Sequence, residues 1–534
     1  MKNLIKKLIP NFLLQFYYKS LAVFGSFIYG NPSNKMIVIG VTGTNGKSTT
    51  VSLISKALEA GGDKVGALST VLFKVANEEK LNDKKMTMLG RFQLQKYLKK
   101  MVDAGCKYAV IETSSQGVEQ YRHIAINYDY AVFTNLTPEH IEAHGGFENY
   151  KKAKGKFFSH LTKMPKKNYS DIIACQSESH TCHPEHPTCH PETPTPQSTL
   201  HTYHTCHPEL VSGSPTCHPE TPTSQSTLHT HHTCHPELVS GSPTCHPELV
   251  SGSPTCHPEL VSGYDDKNKT IPKISIINID DEHAEYFLNF PADKKNTFSV
   301  KKQADFKASD IKVSVKGTSF NYNLTTINLQ LIGAFNVENS LPAIAIATQE
   351  GIEITKIKSA LESVPVVPGR TELINQGQNF SIMVDYAPEP GSMKKLYETL
   401  DQIKNSDLPY KKLIHVLGSC GGGRDKARRP ILGNMAGSKA DIVIVTNEDP
   451  YDEDPQTIIN QVADGAIEKG KIENQNLFKI LDRRSAIERA LSLAQAGDLV
   501  LLTGKGSERA MAVAGGKYIP WDDREVVRKL LKKQ

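Results

Sequence analysis

Ile37-Val-Ile-Gly-Val-Thr-Gly-Thr-Asn-Gly-Lys-Ser-Thr-Thr50 is a β-branched run broken by a glycine-rich turn, after which Lys47-Ser48-Thr49 opens a segment of helical character. A strand ending in such a turn aims several backbone N–H groups at one point, at the positive end of a helix dipole, and that suits a polyphosphate. Gly43, Thr44, Asn45, Gly46, Lys47, Ser48 and Thr49 are therefore the expected nucleotide cradle. Lys47 reaches the β- and γ-phosphates, and the Ser48 or Thr49 hydroxyl completes a Mg²⁺ shell. Val41 stands where the common G-x-x-x-x-G-K-[ST] spacing has its first glycine. Strand, glycines, lysine and hydroxyl in one register outweigh that departure, so the run reads as an ATP-binding loop.

The chain around this loop has 534 residues, too many for one core, so two to four domains are expected. Charge is unevenly spread. From Asn168 to Gly263 there is no Lys or Arg, while nine acidic residues and eight of the ten cysteines lie there. The remainder carries 62 basic against 48 acidic residues, a net +14. A moderately basic body fits anionic nucleotide substrates or an anionic membrane surface. No basic block with interleaved aromatics singles out nucleic acid. Outside the segment only Cys106 and Cys420 remain, so no disulfide framework is implied and a reducing cytoplasm is the natural compartment.

The segment at 168–263 holds two near-copies of a 28-residue unit starting at Cys189 and Cys217, which differ at Pro196/Ser224 and Tyr203/His231. Within and after them runs the 11-residue unit Cys-His-Pro-Glu-Leu-Val-Ser-Gly-Ser-Pro-Thr. Leu and Val are the only apolar content of that unit, so stacked copies would bury almost nothing. Adjacent Cys and His do not easily ligate one ion, and no C-x-x-C spacing occurs. The segment reads as a disordered insertion, with a metal-binding module as the alternative.

Residues 11–29 are apolar and aromatic, preceded by Lys2, Lys6 and Lys7 and interrupted by Gln15, Lys19 and Ser20. They fall short of a spanning helix, and no small-residue cleavage site follows. Two readings stay open: a helix at the inner membrane face, or one packed on the protein's own nucleotide domain.

Helical and β patterns alternate elsewhere. Helices are expected over Val51–Ala60, Phe92–Ala104 and Val337–Gln349, and strands at Lys64–Thr70, Tyr108–Thr113, Tyr130–Thr134 and Pro272–Asp281. After a proline-rich hinge at Pro365–Gly369 come strands at Ser381–Val384, Lys412–Leu417, Asp441–Thr446 and Asp498–Thr503. The expected architecture is α/β: an apolar helix (1–34), a central P-loop ATPase domain with a mostly parallel sheet (35–365, interrupted by 168–263), and a Rossmann-like α/β domain (366–534).

A phosphate loop alone names no reaction; the residues after it do. Glu112-Thr-Ser-Ser115, Thr134-Asn-Leu-Thr-Pro-Glu-His140 with His144-Gly145, and Ala153-Lys154 follow in order. So do Gly333-Ala-Phe-Asn-Val-Glu-Asn339, Gly369-Arg-Thr-Glu372, Asp385-Tyr-Ala387, Gly422-Gly-Arg-Asp-Lys426, Gly504-Lys-Gly-Ser-Glu508 and Asp522-Asp-Arg-Glu525. In this set the chain resembles the Mur ligases, the ATP-dependent amide-bond-forming synthetases of peptidoglycan precursor assembly, nearest to their UDP-N-acetylmuramoyl-tripeptide synthetase branch. The resemblance implies a cytoplasmic carbon–nitrogen ligase serving cell-wall synthesis, and through it cell shape and division. Its substrates are ATP, a muramyl-peptide carboxylate and a free amino acid, and its cofactor is Mg²⁺.

By the same resemblance Ser48, Glu112, His140 and a carbamylated Lys154 hold metal. Asn336 and Asn339 contact adenine, Asp385 the ribose and Arg370 the γ-phosphate region. Lys47, Lys154, His140 and Arg370 form the catalytic set. Arg424, Glu448, Asp449 and Glu508 receive the incoming amino acid. Departures fall on the acceptor side: Glu448-Asp-Pro-Tyr451 replaces Asp-Asn-Pro-Arg, and Ser507 and Gln116 replace histidines. The branch's usual N-terminal UDP-binding domain is not expected before the loop. A ligase on another carboxylate (lipid-linked, folyl-glutamate or poly-amino acid) and a non-catalytic ATP-binding subunit are the competing readings.

Overall fold

The computed structural model describes residues 10–138, 141–178, 269–405, 409–423 and 425–532. Among these residues the largest sheet has eleven strands in the order β11-β10-β9-β8-β7-β6-β1-β5-β2-β3-β4. They are β1 (Ile37–Thr42), β2 (Val65–Leu68), β3 (Leu72–Val75), β4 (Glu78–Leu81), β5 (Tyr108–Glu112), β6 (Tyr130–Phe133), β7 (Ile274–Asn278), β8 (Lys294–Ser299), β9 (Phe306–Ser314), β10 (Gly317–Tyr322) and β11 (Thr325–Leu329). From β2 through β5, β1, β6, β7 and β8 to β9 every pairing is parallel, and antiparallel hairpins close both edges.

Parallel strands covered on both faces must be apolar at successive positions, and β1 is buried along its whole length. Ile37, Ile39 and Val41 enter one core with Val51, Ile54 and Leu58 of helix Lys47–Glu59. Val38 enters the opposite core with Leu94, Leu98 and Met101 of helix Arg91–Asp103. β1 lies between β5 and β6, so the connections leave it in opposite directions and open a crevice at the strands' carboxyl ends.

A second sheet has six described strands in the order β12-β13-β17-β14-β15-β16, parallel except for β12. They are β12 (Glu372–Leu373), β13 (Ser381–Val384), β14 (Leu413–Leu417), β15 (Ile442–Thr446), β16 (Leu477–Ile480) and β17 (Leu499–Leu502). A hairpin of β18 (Ala510–Val513) and β19 (Lys517–Pro520) follows. The expected α/β class and its parallel sheets are those of the molecule.

Helix Asn11–Ile28 forms as expected and packs its inner side on helix Arg91–Asp103, with Ala22 and Ser26 buried. Among the described residues no helix is long and apolar enough to cross a membrane.

The insertion needs a boundary correction. Residues expected to be disordered from 168 onward begin instead with helix Tyr169–Glu178, and Asn168 bridges to Thr270. Composition missed this because one apolar contact decides it: Ile172 is fully buried in the first core. The repeats themselves lie outside the described residues.

Candidate active site

The loop after β1 is shaped by two glycines. Gly43 and Gly46 have φ of +153° and +83°, and a Cβ on Gly46 would lie 2.1 Å from Asn339 Oδ1. Gly46 is also the N-cap of helix Lys47–Glu59, so the loop's N–H groups converge where that helix begins. The loop after β6 braces it. Asn45 N donates to Asn135 Oδ1 at 2.8 Å, Asn135 Nδ2 returns a bond to Asn45 O at 3.1 Å, and Thr134 Oγ1 donates to the same carbonyl at 2.7 Å. Lys47 Nζ donates to Thr44 O at 2.7 Å, folded back within reach of whatever enters the cradle.

At the end of β5, buried Glu112 accepts from Ser48 Oγ at 2.8 Å and from Thr70 N at 2.7 Å. This pairs two of the four expected metal ligands. Lys154, on helix Phe147–Leu161, is 1% exposed, donates to Gly43 O at 2.7 Å and lies 4.5 Å from the Tyr150 ring centre. Its amine thus reaches the phosphate loop itself. His140 and Arg424 lie outside the described residues.

The cleft is closed from the other side by the second sheet. Thr44–Thr49, Glu112, Asn135, Asn339, Arg370, Asp385 and Lys395 line it together. Arg370 stacks 4.4 Å from the Tyr386 ring centre. Asp385, at the end of β13, accepts from Thr371 N at 2.6 Å and Ala387 N at 2.8 Å. Burial raises its pKa, opposed by the Arg370 charge and those two N–H groups. Lys395 donates to Glu338 at 2.9 Å across the cleft. Asn339 lines the cleft, whereas Asn336 sits beneath it, accepting from Asn339 Nδ2 at 3.2 Å and donating to Ile332 O at 2.9 Å. The two asparagines expected at the adenine are thus joined to each other by a hydrogen bond.

The three described acceptor residues also meet. Glu448 and Asp449 follow β15, and Glu508 follows β17. Lys505 Nζ donates to Asp449 Oδ1 at 3.0 Å, Glu508 Oε2 at 2.6 Å and Ala510 O at 2.7 Å. Lys85, from the loop after β4, pairs with Asp449 and lies 3.4 Å from Glu508. Burial alone would raise the Asp449 pKa, but Lys505, Lys85 and the Ala512 N–H outweigh it and hold the carboxyl at about 2. Glu448 is raised by burial first and by Asp449 second; Cys420 Sγ donates to its Oε1 at 2.9 Å. Sequence reasoning did not single out Lys85, Lys505 or Cys420. Lys505 had a signal, lying between the glycines of Gly504-Lys-Gly506; Lys85 had none.

Residues 41–177 and 258–347 match the Mur ligase middle domain, and residues 369–506 match the Mur ligase glutamate ligase domain. The UDP-N-acetylmuramyl-tripeptide synthetase of Roseiflexus sp. (strain RS-1) is 32% identical over 520 residues, 96% of this chain and 82% of the relative. The UDP-N-acetylmuramoyl-L-alanyl-D-glutamate--2,6-diaminopimelate ligase of Geobacillus kaustophilus (strain HTA426) is 29% identical, covering 98% of this chain and 85% of the relative. Among solved structures, MurF from Acinetobacter baumannii superposes with a TM-score of 0.55 at 14% identity, over 97% of this chain and 80% of that one. Mycobacterium tuberculosis folylpolyglutamate synthase gives 0.54 at 14% identity, over 91% and 92%. At such identity these two show the fold alone. The matched domains and the 32% identical relative establish the family: this chain belongs to the Mur ligases and is an ATP-dependent ligase that forms amide bonds.

Proposed function

We propose that the enzyme joins a free amino acid to the carboxylate of a muramyl peptide in peptidoglycan precursor synthesis, at the expense of ATP. The observation that carries this reading is the convergence of a phosphate loop, the Ser48–Glu112 pair, Arg370 and Asp385 on one cleft, with an acidic pocket of Asp449 and Glu508 at the carboxyl ends of the same second sheet. The two domains in this reading are 35–365 and 366–534, hinged near Pro365–Gly369, so that nucleotide binding favours closure.

A carboxylate is a poor electrophile, so its oxygen first attacks the γ-phosphorus of ATP, forming an acyl phosphate and releasing ADP. Lys47 leaves Thr44 O to offset charge on the transferring group, and the loop N–H groups hold the phosphates still. Arg370 faces the γ-phosphate, and Asp385 accepts from the ribose hydroxyls. Asn339, steadied by Asn336, borders the base. The amine of the amino acid then attacks the acyl carbon, loses a proton and expels phosphate, leaving the amide. Asp449 and Glu508, and Arg424 outside the described residues, would hold the amino acid while it does so.

Hard oxygens at Ser48 and Glu112, 2.8 Å apart beside the loop, are donors of the kind Mg²⁺ takes. They would hold the ion, with His140 and carbamylated Lys154 as further ligands, and it would neutralise phosphate charge. The cytoplasm, where ATP is held, is the compartment this reading implies. The test is amino-acid-dependent phosphate release from Mg·ATP, screened over amino acids with UDP-linked and lipid-linked muramyl peptides. Phosphate release that no amino acid and no muramyl peptide stimulates would refute the proposal.

A further inference from the structure

Helix Asn11–Ile28 is held to the body by one side only. Ser26 Oγ bonds to Asn31 Oδ1 at 3.1 Å and Ala125 O at 3.3 Å, Arg91 lies 4.2 Å from the Tyr18 ring centre, and Phe24 meets Phe92 edge-on at 6.4 Å. Among the described residues the other side is apolar and largely exposed. At 100° per residue Phe12, Leu13, Phe16, Tyr17, Phe24 and Phe27 share one arc of about 140°. All six are between 48% and 72% exposed, and Ser20 is the one polar residue among them. A helix in an ordinary surface layer turns polar residues outward; this one is oriented the other way round.

Charge selects what covers it. Lys2, Lys6, Lys7, Lys19 and Lys35 precede the first acidic residue of the chain, Glu59. Lys19 is exposed at the edge of the arc, and exposed Lys96 stands one helical turn beyond Phe92. Two copies meeting through this face would bring those cations together, and an acidic headgroup layer would neutralise them. Aromatics dominate the arc, as they do where a surface meets the headgroup region of a bilayer. The helix lies on such a surface and does not cross it.

We propose that helix Asn11–Ile28 docks the enzyme on an anionic lipid surface, with Phe12, Phe16, Phe24 and Phe27 entering the headgroup–acyl boundary. The inference rests on the cytoplasmic location proposed for the enzyme and on none of its ligase chemistry. Full-length protein is floated with vesicles of phosphatidylcholine carrying phosphatidylglycerol as the minor lipid, and with phosphatidylcholine alone. It is expected to rise with the mixed vesicles and to be weakened by salt. A Phe12→Glu/Phe16→Glu/Phe27→Glu variant is expected to lose roughly tenfold or more in partitioning, at an unchanged thermal midpoint and ATP turnover. In a separate Phe16→Trp variant, emission shifts to the blue on adding mixed vesicles. Wild-type protein that stays down with both vesicles overturns the proposal, as does a triple variant that floats like wild type. Equally decisive against it is a concentration-dependent dimer that the triple variant abolishes while vesicles bind nothing.

Discussion

Lys85 and Asp449 stand 364 positions apart in the chain and form an ion pair whose side chains are only 8% and 4% exposed. The pair runs from the edge hairpin of the first sheet to the loop after β15 in the second. A lysine ammonium therefore sits among Asp449, Glu508 and the Ala510 carbonyl, in the pocket proposed for the incoming amino acid.

Removing that ammonium leaves buried Asp449 and partly buried Glu508 with Lys505 as the one cation bridging them among the described residues. Lys85→Met is expected to bind L-lysine about three- to tenfold more tightly, with ATP affinity unchanged, because the ligand no longer competes with a tethered cation. Titration calorimetry with each ligand checks this. Weaker binding in the variant would mean that Lys85 helps to build the pocket and does not compete for it.

Gly46→Ala places a Cβ 2.1 Å from Asn339 Oδ1 at a φ of +83°. The expected cost is about 1–3 kcal/mol, read as a lower thermal midpoint. Adding Asn339→Gly should recover the steric share and leave the backbone share, so rescue is partial.

Lys47→Met should reduce phosphate release by about three orders of magnitude while leaving the thermal midpoint of the free enzyme nearly unchanged. Its described hydrogen bond, to Thr44 O, is local, which is why turnover and stability separate. Steady-state kinetics and a melting curve on the same preparation measure both.

His123 and His415 are buried and each held at about 3, by burial first and then by His160 beside His123 and by Arg483 near His415. His415 lies between Tyr397 OH at 2.7 Å and Thr503 Oγ1 at 2.9 Å, a setting for neutral imidazole. Both folded-state values lie below the unfolded value of 6.5, so the unfolded chain binds more protons. Their stability contribution is complete above pH 6.5 and is lost as pH falls towards 3. At pH 5 the loss is at most about 2 kcal/mol per group. Denaturant melts at pH 7 and pH 5 should show it, and His123→Asn should flatten the difference.

Excising 179–268 with a short glycine-serine linker should preserve ligation and the thermal midpoint. Excising 168–263 instead removes helix Tyr169–Glu178 and empties the site of Ile172, a loss of roughly 2–5 kcal/mol. Comparing the two deletions by melting and by phosphate release distinguishes the helix from the repeats.

What the sequence made readable is what lies close together along the chain. The loop at Gly43–Thr49 is built from consecutive residues, so its strand–turn–helix form could be read directly. Glu112 and Asp385 each end an apolar strand, and strand ends are visible as a change from β-branched to polar residues. Strands β3, β4 and β8–β11 were passed over because they are short or alternate exposed and buried positions at the rim. Lys85 was invisible for a different reason: its partners arrive only when the two sheets face each other. Cys420 carried no signal either, since only the pairing of β14 with β15 brings it against Glu448.

The bridge between Asn168 and Thr270 ties the two described segments that flank the repeats together just ahead of β7, at the amino edge of its sheet, with helix Tyr169–Glu178 leading on from it. The phosphate loop and Glu112 stand at the opposite, carboxyl edge. A tag or foreign domain spliced in beside that bridge would enter at the edge away from the phosphate loop, which makes it a natural place for one.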